Sequence, residues 1–551
     1  MKVGIYNQFW LTMGGGERLM GMAAEVLAQA GHQVELITHV PASVEALARR
    51  FDLDLPGVGV RTTPLLPFDQ LGPLTAEYDL FINGSFMSVI PSRAPRSILL
   101  VMFPFPLDET HFGRFKRWLA QHIHRELIVP RYGAGFYGPQ ELGGSRYRWT
   151  AGRGQVELQL PWQRRNGKGG RPIPLRLVLG SFRPRGWGPV PVTVTANGHP
   201  VAHTGVETTP GDYVTLDVDV LPAAGSGDRL TLGIESPTYR PFEVGGDSGE
   251  PDDYREVGVA VARVMARHPR HYLYELLFER WVPELGRRLH GLPDERAMGY
   301  LDTYDVICPI SAFSNTWLER YWGKSGEILY PPVDVTQFTP QAERRPIILG
   351  VGRFFQGSHA KRHDAMIRVF RQLTAAGLHG WELHLVGGSM SEGRHGRYLE
   401  ECRRLAQGLP VHFHVDAPLA ELKTLYESAT IYWHATGFGI SEQREPIKCE
   451  HFGITVVEAM AAGCVPVVIG KGGIPEIVEH GVSGFHWRST AEWKRHTLAV
   501  ARDPRLAARL RAAAIERSTR FGEAVFRSHL LQLLDRLDRQ SPADRPPEGG
   551  L

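Results

Sequence analysis

The amino-acid sequence predicts an α/β protein with two Rossmann-like domains and an antiparallel β-sandwich inserted into the first. Short apolar runs alternate with helical stretches at both ends of the chain, which is typical of doubly wound parallel sheets. Between about residues 132 and 258 the apolar period changes to two. With 551 residues, the chain is also too long for a single core.

The first Rossmann-like domain is predicted from residues 1–131 and, after the insertion, 259–335. It begins with the strand KVGIY (2–6), a glycine cluster and a helix that ends at Gly31. A helical pattern is predicted to resume with VARVMARHPRHYLYELL, from Val261. Further strands are expected in the segments HQVELITHV, YDLFING, RSILLVMF and YDVICPIS.

The insertion is predicted at 132–258 as a separate sandwich, with Asn197-Gly198 as a hairpin turn. Its strands are expected at 156–160, 175–179, 190–198, 213–220 and 229–234. Trp149, Trp162 and Trp187, with Arg146 and Arg148, are compatible with a carbohydrate-binding surface. Tryptophans are also common in sandwich cores, and we favour that interpretation.

The second Rossmann-like domain is predicted at 336–540, after the proline-stiffened segment YPPVD. Residues 541–551 have the composition of a disordered tail. The domain's strands are expected at 346–354, 381–388, 411–415, 429–435 and 465–470.

Composition narrows the class of protein and its partners. The net charge of +3 is nearly neutral, so a nucleic acid or another acidic polymer is not an expected partner. No run of eighteen apolar residues is present, and the N-terminus lacks the apolar stretch of a signal peptide. The four cysteines lack metal-ligand spacing, so they are expected to be buried thiols. We therefore expect a cytoplasmic protein.

Two loops that follow predicted strands carry features of an anion site. Gly14, Gly15 and Gly16 lie between the first strand and its helix, where glycines allow close approach of a ligand to the backbone. The spacing is not that of a dinucleotide fingerprint. Arg353 and Lys361 flank the loop after the strand at 346–354, and two cations at the mouth of a cleft suit a diphosphate.

The segment from Glu450 to Glu458 is the most specific motif. Gly453 is expected in a turn, which leaves Glu450 in a loop and Glu458 about two turns into an apolar helix. One carboxylate can bind a sugar hydroxyl while the other binds a ribose, with the helix N-terminus facing phosphate. A second glycine-rich loop, Gly470 to Glu476, could line the same cleft.

Together, GGGER, GVGRF…K, YPPVD and EHFGITVVEAMAAGCVPVV resemble the retaining glycosyltransferases of family 4, which have the GT-B fold. The resemblance covers about residues 1–130 and 260–525 and includes the branch of mannosyltransferases that assemble lipid-linked oligosaccharides. It implies two Rossmann-like domains that face a cleft. It also implies a nucleotide-sugar donor and a saccharide or lipid-linked acceptor.

The resemblance assigns residue roles. It implies that Arg353 and Lys361 hold the diphosphate, that Glu450 contacts the donor sugar and that Glu458 contacts the ribose. Arg353, Lys361 and Glu450 are the expected catalytic residues. Neither a metal nor any cofactor besides the donor is implied. The other expected donor-binding residues are Gly14, Gly15, Gly16, Ser311, His434, Phe452, Gly453, Ile454 and Thr455.

One position departs from the family pattern. The family's strand equivalent to ILLVMFPFP often ends in a histidine-containing sequence that resembles VHFP, and Met102 stands at that place here. We expect the donor's own phosphate to take the acceptor's proton, with Met102 as an apolar wall and His111 as a surface residue. Residues 114–132 interleave basic and apolar residues, which fits either a membrane-surface helix or an ordinary packed helix.

Mannose from GDP-mannose is the first expectation for the donor, on the resemblance alone, and a UDP-hexose is the alternative. No feature indicates the pyridoxal phosphate of a glycan phosphorylase, which shares the fold class. An inactive glycan-binding protein that uses the sandwich is the alternative from a different class. Its sequence would have no need to keep Arg353, Lys361, Glu450 and Glu458 together.

Overall fold

The structure is a computed structural model of the chain. It describes residues 1–66, 68–105, 130–138, 140–142, 145–159, 172–183, 187–221, 229–241, 255–274, 276, 299–355, 360–388 and 393–539. The predicted tail at 541–551, His111, Trp162 and most of the segment 114–132 lie outside these residues.

The chain begins with a parallel α/β arrangement. Its strands are β1 (Lys2–Tyr6), β2 (Gln33–Thr38), β3 (Gly59–Thr62), β4 (Leu80–Asn83) and β5 (Arg96–Val101). The helices are α1 (Gly15–Gln29), α2 (Val44–Phe51) and the short α3 (Gly72–Thr75). The strand–glycine loop–helix unit predicted at the N-terminus is confirmed, and Gly31 adopts a positive φ of 83° just beyond α1.

Two antiparallel sheets follow. Their strands are β6 (Arg131–Tyr132), β7 (Gln140–Leu142), β8 (Ser145–Trp149), β9 (Arg153–Gln159), β10 (Ile173–Gly180), β11 (Val190–Ala196), β12 (His199–Val206), β13 (Val214–Val220), β14 (Arg229–Glu235) and β15 (Ala260–Ala266). The strand orders are β13-β10-β15-β8-β7 and β12-β11-β14-β9-β6. Alternate residues of both sheets share one hydrophobic cluster, so the sheets pack face to face.

The hairpin predicted at Asn197-Gly198 joins β11 to β12. Both residues have positive φ angles, 49° and 87°, which matches the twist that a two-residue hairpin loop requires. Trp149 is 3% exposed in a second cluster with Tyr147, Phe182 and Tyr239, whereas Trp187 is 55% exposed. Trp149 is therefore a core residue.

The predicted helix starting at Val261 is wrong at its beginning. Residues 260–266 form β15, which pairs with β10 and β8 in the middle of one antiparallel sheet. The insertion thus ends after residue 266, beyond the predicted boundary at 258. In the segment AVARVMA, buried residues lie on both faces of the strand. The spacing of its apolar residues therefore does not distinguish a strand from a helix, and pairing with the neighbouring strands determines the structure. A short helix, α4 (Pro269–Tyr274), follows.

The chain then completes the first sheet with β16 (Val306–Pro309), which leads into α5 (Ala312–Trp322). The sheet order is β16-β5-β4-β1-β2-β3, and every neighbouring pair is parallel. We refer to this sheet with its helices as the N-terminal domain.

A second parallel sheet forms the C-terminal domain. Its strands are β17 (Arg345–Val351), β18 (Glu382–Gly387), β19 (Val411–Val415), β20 (Ala429–His434), β21 (Val465–Ile469) and β22 (Phe485–Trp487), in the order β19-β18-β17-β20-β21-β22. The helices are α6 (His363–Ala375), α7 (Gly393–Leu405), α8 (Leu419–Ser428), α9 (Ile454–Ala461), α10 (Ile474–Ile477), α11 (Thr490–Arg502) and α12 (Pro504–Ser518). The prediction of two Rossmann-like sheets is confirmed.

The last described helix, α13 (Glu523–Arg539), returns to the N-terminal domain. Arg527 donates to Gln29 and Glu25 of α1 at 2.7 and 3.1 Å, and Asp538 pairs with Arg96 at 2.8 Å. Leu530 is buried in a cluster that also includes α1 residues. The predicted domain 336–540 therefore ends in a helix that fastens the two domains together.

The cysteines and the helices agree with the composition. Cys308, Cys402, Cys449 and Cys464 are buried free thiols, and burial raises the pKa of Cys464 to about 11. Within the described ranges, every helix is too short or too polar to cross a bilayer.

Leu530→Ala should destabilise the protein, because the side chain is only 2% exposed and its removal leaves a cavity. We expect a loss of about 2–5 kcal/mol, typical of buried leucine truncation, seen as a lower Tm in thermal unfolding. Gln532→Ala, at an exposed position of α13, is the matched control. Equal Tm values for the two variants would contradict the packing of α13.

Candidate active site

Three charged or ionisable side chains meet where strands of the C-terminal sheet end. Lys361 Nζ donates to Glu450 Oε2 at 2.5 Å, and His434 Nε2 lies 2.9 Å from the same oxygen. His434 is the last residue of β20. Lys361 lies two residues before the start of α6, and Glu450 lies in the loop before α9. We call these three residues the Lys361–Glu450–His434 triad.

The triad holds Glu450 as an anion. Burial alone would raise the pKa of Glu450, but the charge of Lys361 and the hydrogen bond from His434 outweigh it and hold the pKa well below its usual range. Burial lowers the pKa of His434, which is 2% exposed, so its ring is neutral near pH 7. A neutral ring that donates to Glu450 must carry its proton on Nε2.

Glycines let the triad form. A Cβ at Gly352 would lie 2.4 Å from Lys361 Cγ, so the lysine stem can pass over that residue only because it lacks a side chain. The loop Gly470 to Glu476 packs directly on Glu450: Gly473 N donates to Glu450 O at 2.8 Å. A Cβ at Gly472 would lie 2.1 Å from the same carbonyl oxygen. This loop therefore supports the site, as the sequence suggested.

The helices α1 and α9 begin opposite each other across the two domains. Their N-cap residues are Gly14 and Gly453; α9 has no capping side chain, whereas at the start of α1 the Glu17 carboxylate accepts from the backbone N–H of Gly14. A Cβ at Gly15 would lie 3.0 Å from Cδ1 of Ile454, so the two helix starts almost touch. Helix N-termini favour negative charge, which makes this junction suited to an anionic ligand.

The glycine loop of the N-terminal domain is fixed by Glu17. Its carboxylate, 6% exposed, accepts from Asn7 at 2.9 Å, from Thr12 at 2.7 Å and from the backbone N–H of Gly14 at 2.8 Å. Three donors on one carboxylate hold the loop in place.

Glu458 lies in α9 and joins the two domains electrostatically. Tyr426 donates to Glu458 Oε2 at 3.0 Å, and Arg18 of α1 lies 3.8 Å from Oε1. Arg18 also pairs with Glu523 of α13 at 3.2 Å. Burial raises the pKa of Glu458, and Arg18 and Tyr426 oppose the shift. Arg18 is part of the GGGER motif, but the sequence predicts no role for it.

Glu476 forms a second link between the domains. Its carboxylate accepts the backbone N–H groups of Ala312 and Phe313, both at 2.7 Å, at the start of α5. Tyr330 donates to it as well, at 3.1 Å. Glu476 of the C-terminal domain thus caps helix α5 of the N-terminal domain. In the sequence, the only signal for this contact is that Glu476 ends a glycine-rich loop.

Arg353 lies two residues beyond β17, on the loop before Lys361. Its guanidinium sits over the ring of Phe355, with 5.6 Å between the guanidinium carbon and the ring centroid. Arg353 and Lys361, which are expected to hold the diphosphate, therefore flank one loop. Residues 356–359 of this loop lie outside the described residues.

Two expected donor-binding side chains are buried. Ser311 is fully buried, and its hydroxyl accepts from Ser314 N at 3.0 Å as the cap of α5. Phe452 is 3% exposed and packs its ring near Tyr330 and Phe521 in the core. Motif position alone does not distinguish a cap or a core residue from a cleft residue, and the contacts of these two residues with a donor stay predictions. Thr455 is half-buried, and its hydroxyl accepts from Tyr432 at 2.8 Å.

A cavity of about 300 Å³ lies in the N-terminal domain beside the glycine loop. Its lining residues include Gly16, Glu17 and Met102. A Cβ at Gly16 would lie 3.5 Å from Met102 Cε, so the methionine closes one wall next to the start of α1.

Glu450→Gln should destabilise the protein because it leaves the Lys361 charge, which is only 20% exposed, without its anion. Removing one partner of a buried pair costs about 3–5 kcal/mol. Because the pKa of Glu450 is depressed in the folded state, the ion pair contributes its full stability above the ordinary glutamate pKa of ~4.3. This stability is lost as the pH falls through the lower pKa of the folded state.

The difference in Tm between wild type and Glu450→Gln should thus be large at pH 7 and shrink below about pH 4. Thermal unfolding across pH measures it, with Glu400→Gln at an exposed position of α7 as the control. A difference that stays constant with pH would contradict the anionic Glu450.

Residues 335–517 match the family described as Glycosyl transferases group 1. Two curated relatives are named as mannosyltransferases. GDP-Man:Man(3)GlcNAc(2)-PP-Dol alpha-1,2-mannosyltransferase from Homo sapiens is 29% identical over 256 residues, 42% of this chain and 49% of that protein. GDP-mannose-dependent alpha-(1-6)-phosphatidylinositol monomannoside mannosyltransferase from Mycolicibacterium smegmatis is 30% identical over 199 residues, 33% of this chain and 48% of that protein. The chain thus spans about half the length of the curated relatives it matches.

Solved structures resemble the whole chain. HepE from Anabaena in complex with UDP is 12% identical, with a TM-score of 0.50, covering 97% of this chain and 100% of its own. A glycosyltransferase from Rickettsia africae is 10% identical, also with a TM-score of 0.50, covering 98% and 99%. These likenesses concern the fold, and they confirm the expected GT-B architecture. In this GT-B chain, residues 335–517 form a domain of the glycosyl transferases group 1 family.

Proposed function

We propose that the protein is a retaining, metal-independent glycosyltransferase that moves mannose from GDP-mannose to a lipid-linked saccharide. The observation that carries the proposal is the Lys361–Glu450–His434 triad next to the facing starts of α1 and α9. A cation, an anion and two helix N-termini at one junction suit a ligand that has both a diphosphate and sugar hydroxyls.

The diphosphate is assigned to Lys361, Arg353 and the start of α9. Lys361 is paired with Glu450, so the donor's phosphates would compete for the lysine and leave Glu450 to accept from a sugar hydroxyl. This exchange keeps the lysine charge paired in both states, which avoids a buried unpaired cation. Glu458 is proposed to bind the ribose, with Tyr426 and Arg18 holding its carboxylate in place.

In the transfer step, the acceptor hydroxyl oxygen forms a bond to the anomeric carbon while the bond from that carbon to the donor phosphate oxygen breaks. The hydroxyl proton passes to a departing phosphate oxygen on the same face of the sugar. Arg353 and Lys361 stabilise the charge that develops on the nucleoside diphosphate, which is the task a metal ion performs in other transferases.

The acceptor is proposed to enter through the cavity beside Met102, Gly16 and Glu17, on the N-terminal side of the junction. Mannose and a lipid-linked acceptor are supported by the names of the two relatives, both of which specify GDP-mannose or GDP-Man and a lipid-linked glycan. Action at the cytoplasmic face of a membrane, with peripheral contact, belongs to the same proposal.

GDP should raise the Tm of the protein more than UDP or ADP at equal concentration. A ligand of the native state at 100 times its Kd stabilises by about 2.7 kcal/mol. A thermal-shift series with the three nucleotides measures this. A larger shift with UDP would replace the GDP donor with a UDP-hexose. No shift with any nucleotide would sink the proposal and favour an inactive glycan-binding protein.

Lys361→Ala should lower turnover roughly 10²-fold or more, the typical cost of removing one preorganised electrostatic donor. Transfer of radiolabelled mannose from GDP-mannose to a lipid-linked mannoside measures it. Lys423→Ala, at a partly exposed lysine of α8 in the same domain, is the matched control. Turnover near the wild-type value for Lys361→Ala would remove this residue from the mechanism.

Met102→Ala should cost much less than the 10²–10⁴-fold that a general base contributes, since a thioether cannot accept the proton. His111→Ala should be nearly silent, although His111 lies outside the described residues. The same mannose-transfer assay tests both variants. A large fall for His111→Ala, with GDP binding unchanged, would identify His111 as the base and overturn proton transfer to the phosphate.

A further inference from the structure

A cluster of histidines and glutamates lies on the C-terminal sheet, apart from the triad. Glu382 and His384 are on β18, and His412 and His414 are on the neighbouring edge strand β19. His384 is paired in register with His412, and the four side chains project from the same face because they alternate along their strands. Glu421 of α8 completes the cluster.

Three of these side chains present ligand atoms to one point. His384 Nε2 lies 3.0 Å from Glu382 Oε2, and His412 Nε2 lies 3.9 Å from Glu382 Oε1. One ligand atom from each of the three residues lies within 4.8 Å of the others. Tetrahedral zinc with bonds of about 2.1 Å needs ligand atoms roughly 3.4 Å apart, so small side-chain shifts suffice.

Hydrogen bonds connect these side chains to α8. Glu382 lies 3.0 Å from His384, His384 Nδ1 lies 3.0 Å from His414 Nε2, and His414 Nδ1 lies 2.6 Å from Glu421. His384 is 6% exposed, and its ring is held between Glu382 and His414.

We propose that Glu382, His384 and His412 form a binding site for a divalent transition-metal ion, with Zn²⁺ as the best match. The ion would replace the direct contact between Glu382 Oε2 and His384 Nε2. His384 then donates from Nδ1 to His414, which contacts Glu421 in turn. This is the arrangement in which a second layer of hydrogen bonds orients a metal-bound histidine.

The donor set supports this choice of ion. Two imidazole nitrogens and one carboxylate oxygen suit zinc, and a water would occupy the fourth position. One group opposes it: Arg345 Nη2 lies 3.6 Å from Glu382 Oε2 and competes for that carboxylate. Arg345 is 60% exposed, so it can turn into solvent when the ion binds.

The role of the ion is structural. His384 lies three residues before the end of β18, roughly 10 Å from the edge where the donor loops begin. The ion joins the edge strand β19 to β18 and, through His414 and Glu421, to α8. The expected absence of a metal concerned the transfer reaction. The cluster has no local sequence signal, because its residues come from two strands 30 residues apart.

Isothermal titration of chelator-treated, full-length protein with Zn²⁺ tests the site. We expect one ion per chain and a higher Tm in the zinc-loaded protein. His412→Ala and Glu382→Gln should bind at least 10-fold more weakly, and Glu421→Gln, which removes an outer partner, 10–100-fold more weakly. Arg345→Ala should bind more tightly because the competing cation is gone.

His379→Ala, an exposed histidine of the same domain, is the matched control and should keep the wild-type affinity. Because His412 is 48% exposed, His412→Ala should fold, and a Tm without metal equal to that of His379→Ala verifies this. The proposal is overturned if the wild type binds no Zn²⁺, or if the three cluster variants bind it as the wild type does. Mannose transfer by His412→Ala is expected to be normal, which separates this test from that of the proposed function.

Discussion

The ion pair between Lys361 and Glu450 is the interaction on which the rest of the site depends. It joins two loops that are 89 residues apart in the chain, and it places a carboxylate where burial alone would favour the neutral acid. His434 supplies a neutral donor from the end of β20, so the anion has two partners. Each charge of the pair satisfies the other.

Glycines are the structural condition for this pair. Gly352 gives the lysine stem its path, and Gly472 and Gly473 let the following loop lie against the backbone of Glu450 and His451. A side chain at any of the three would meet backbone or the lysine at 2.1 to 2.4 Å. The positions of the Glu450 backbone and of the lysine stem are therefore set by contacts that only glycine permits.

The two domains meet through polar contacts made by buried or partly buried groups. Arg18 reaches Glu458, and Glu476 caps α5, so both glutamates of the C-terminal domain have partners in the N-terminal domain. The helix α13 adds apolar packing and ion pairs on α1. Polar contacts of this kind can be exchanged for ligand contacts at low cost, whereas apolar packing at α13 keeps the domains together.

The sequence predicted the two Rossmann-like sheets because parallel strands, buried on both faces, read as continuous apolar runs. It also predicted that Lys361 and Glu450 lie on loops that follow strands, where ligands bind to such sheets, and that Glu458 lies in the next helix. It did not predict the burial of Ser311 and Phe452, which depends on distant packing partners. It failed for residues 260–266 because an apolar segment of seven residues fits a strand or a helix until its neighbours are known.

Arg18, Tyr426 and the cluster around His384 show a further limit. Their partners lie on other helices or strands or in the other domain, and periodicity along one segment carries no information about them. Only the glycine-rich surroundings of Arg18 and Glu476 gave a local signal, and that signal indicated a loop rather than a contact between domains.

We propose that the Lys361–Glu450 pair opens to receive a diphosphate. A crystal structure of the protein soaked with GDP shows whether it does. We expect the diphosphate at the start of α9, within hydrogen-bond distance of Lys361 Nζ, with Glu450 released from the lysine and still bonded to His434. GDP bound on the sandwich or away from α9, with the Lys361–Glu450 pair intact, would show that the pair does not receive the diphosphate.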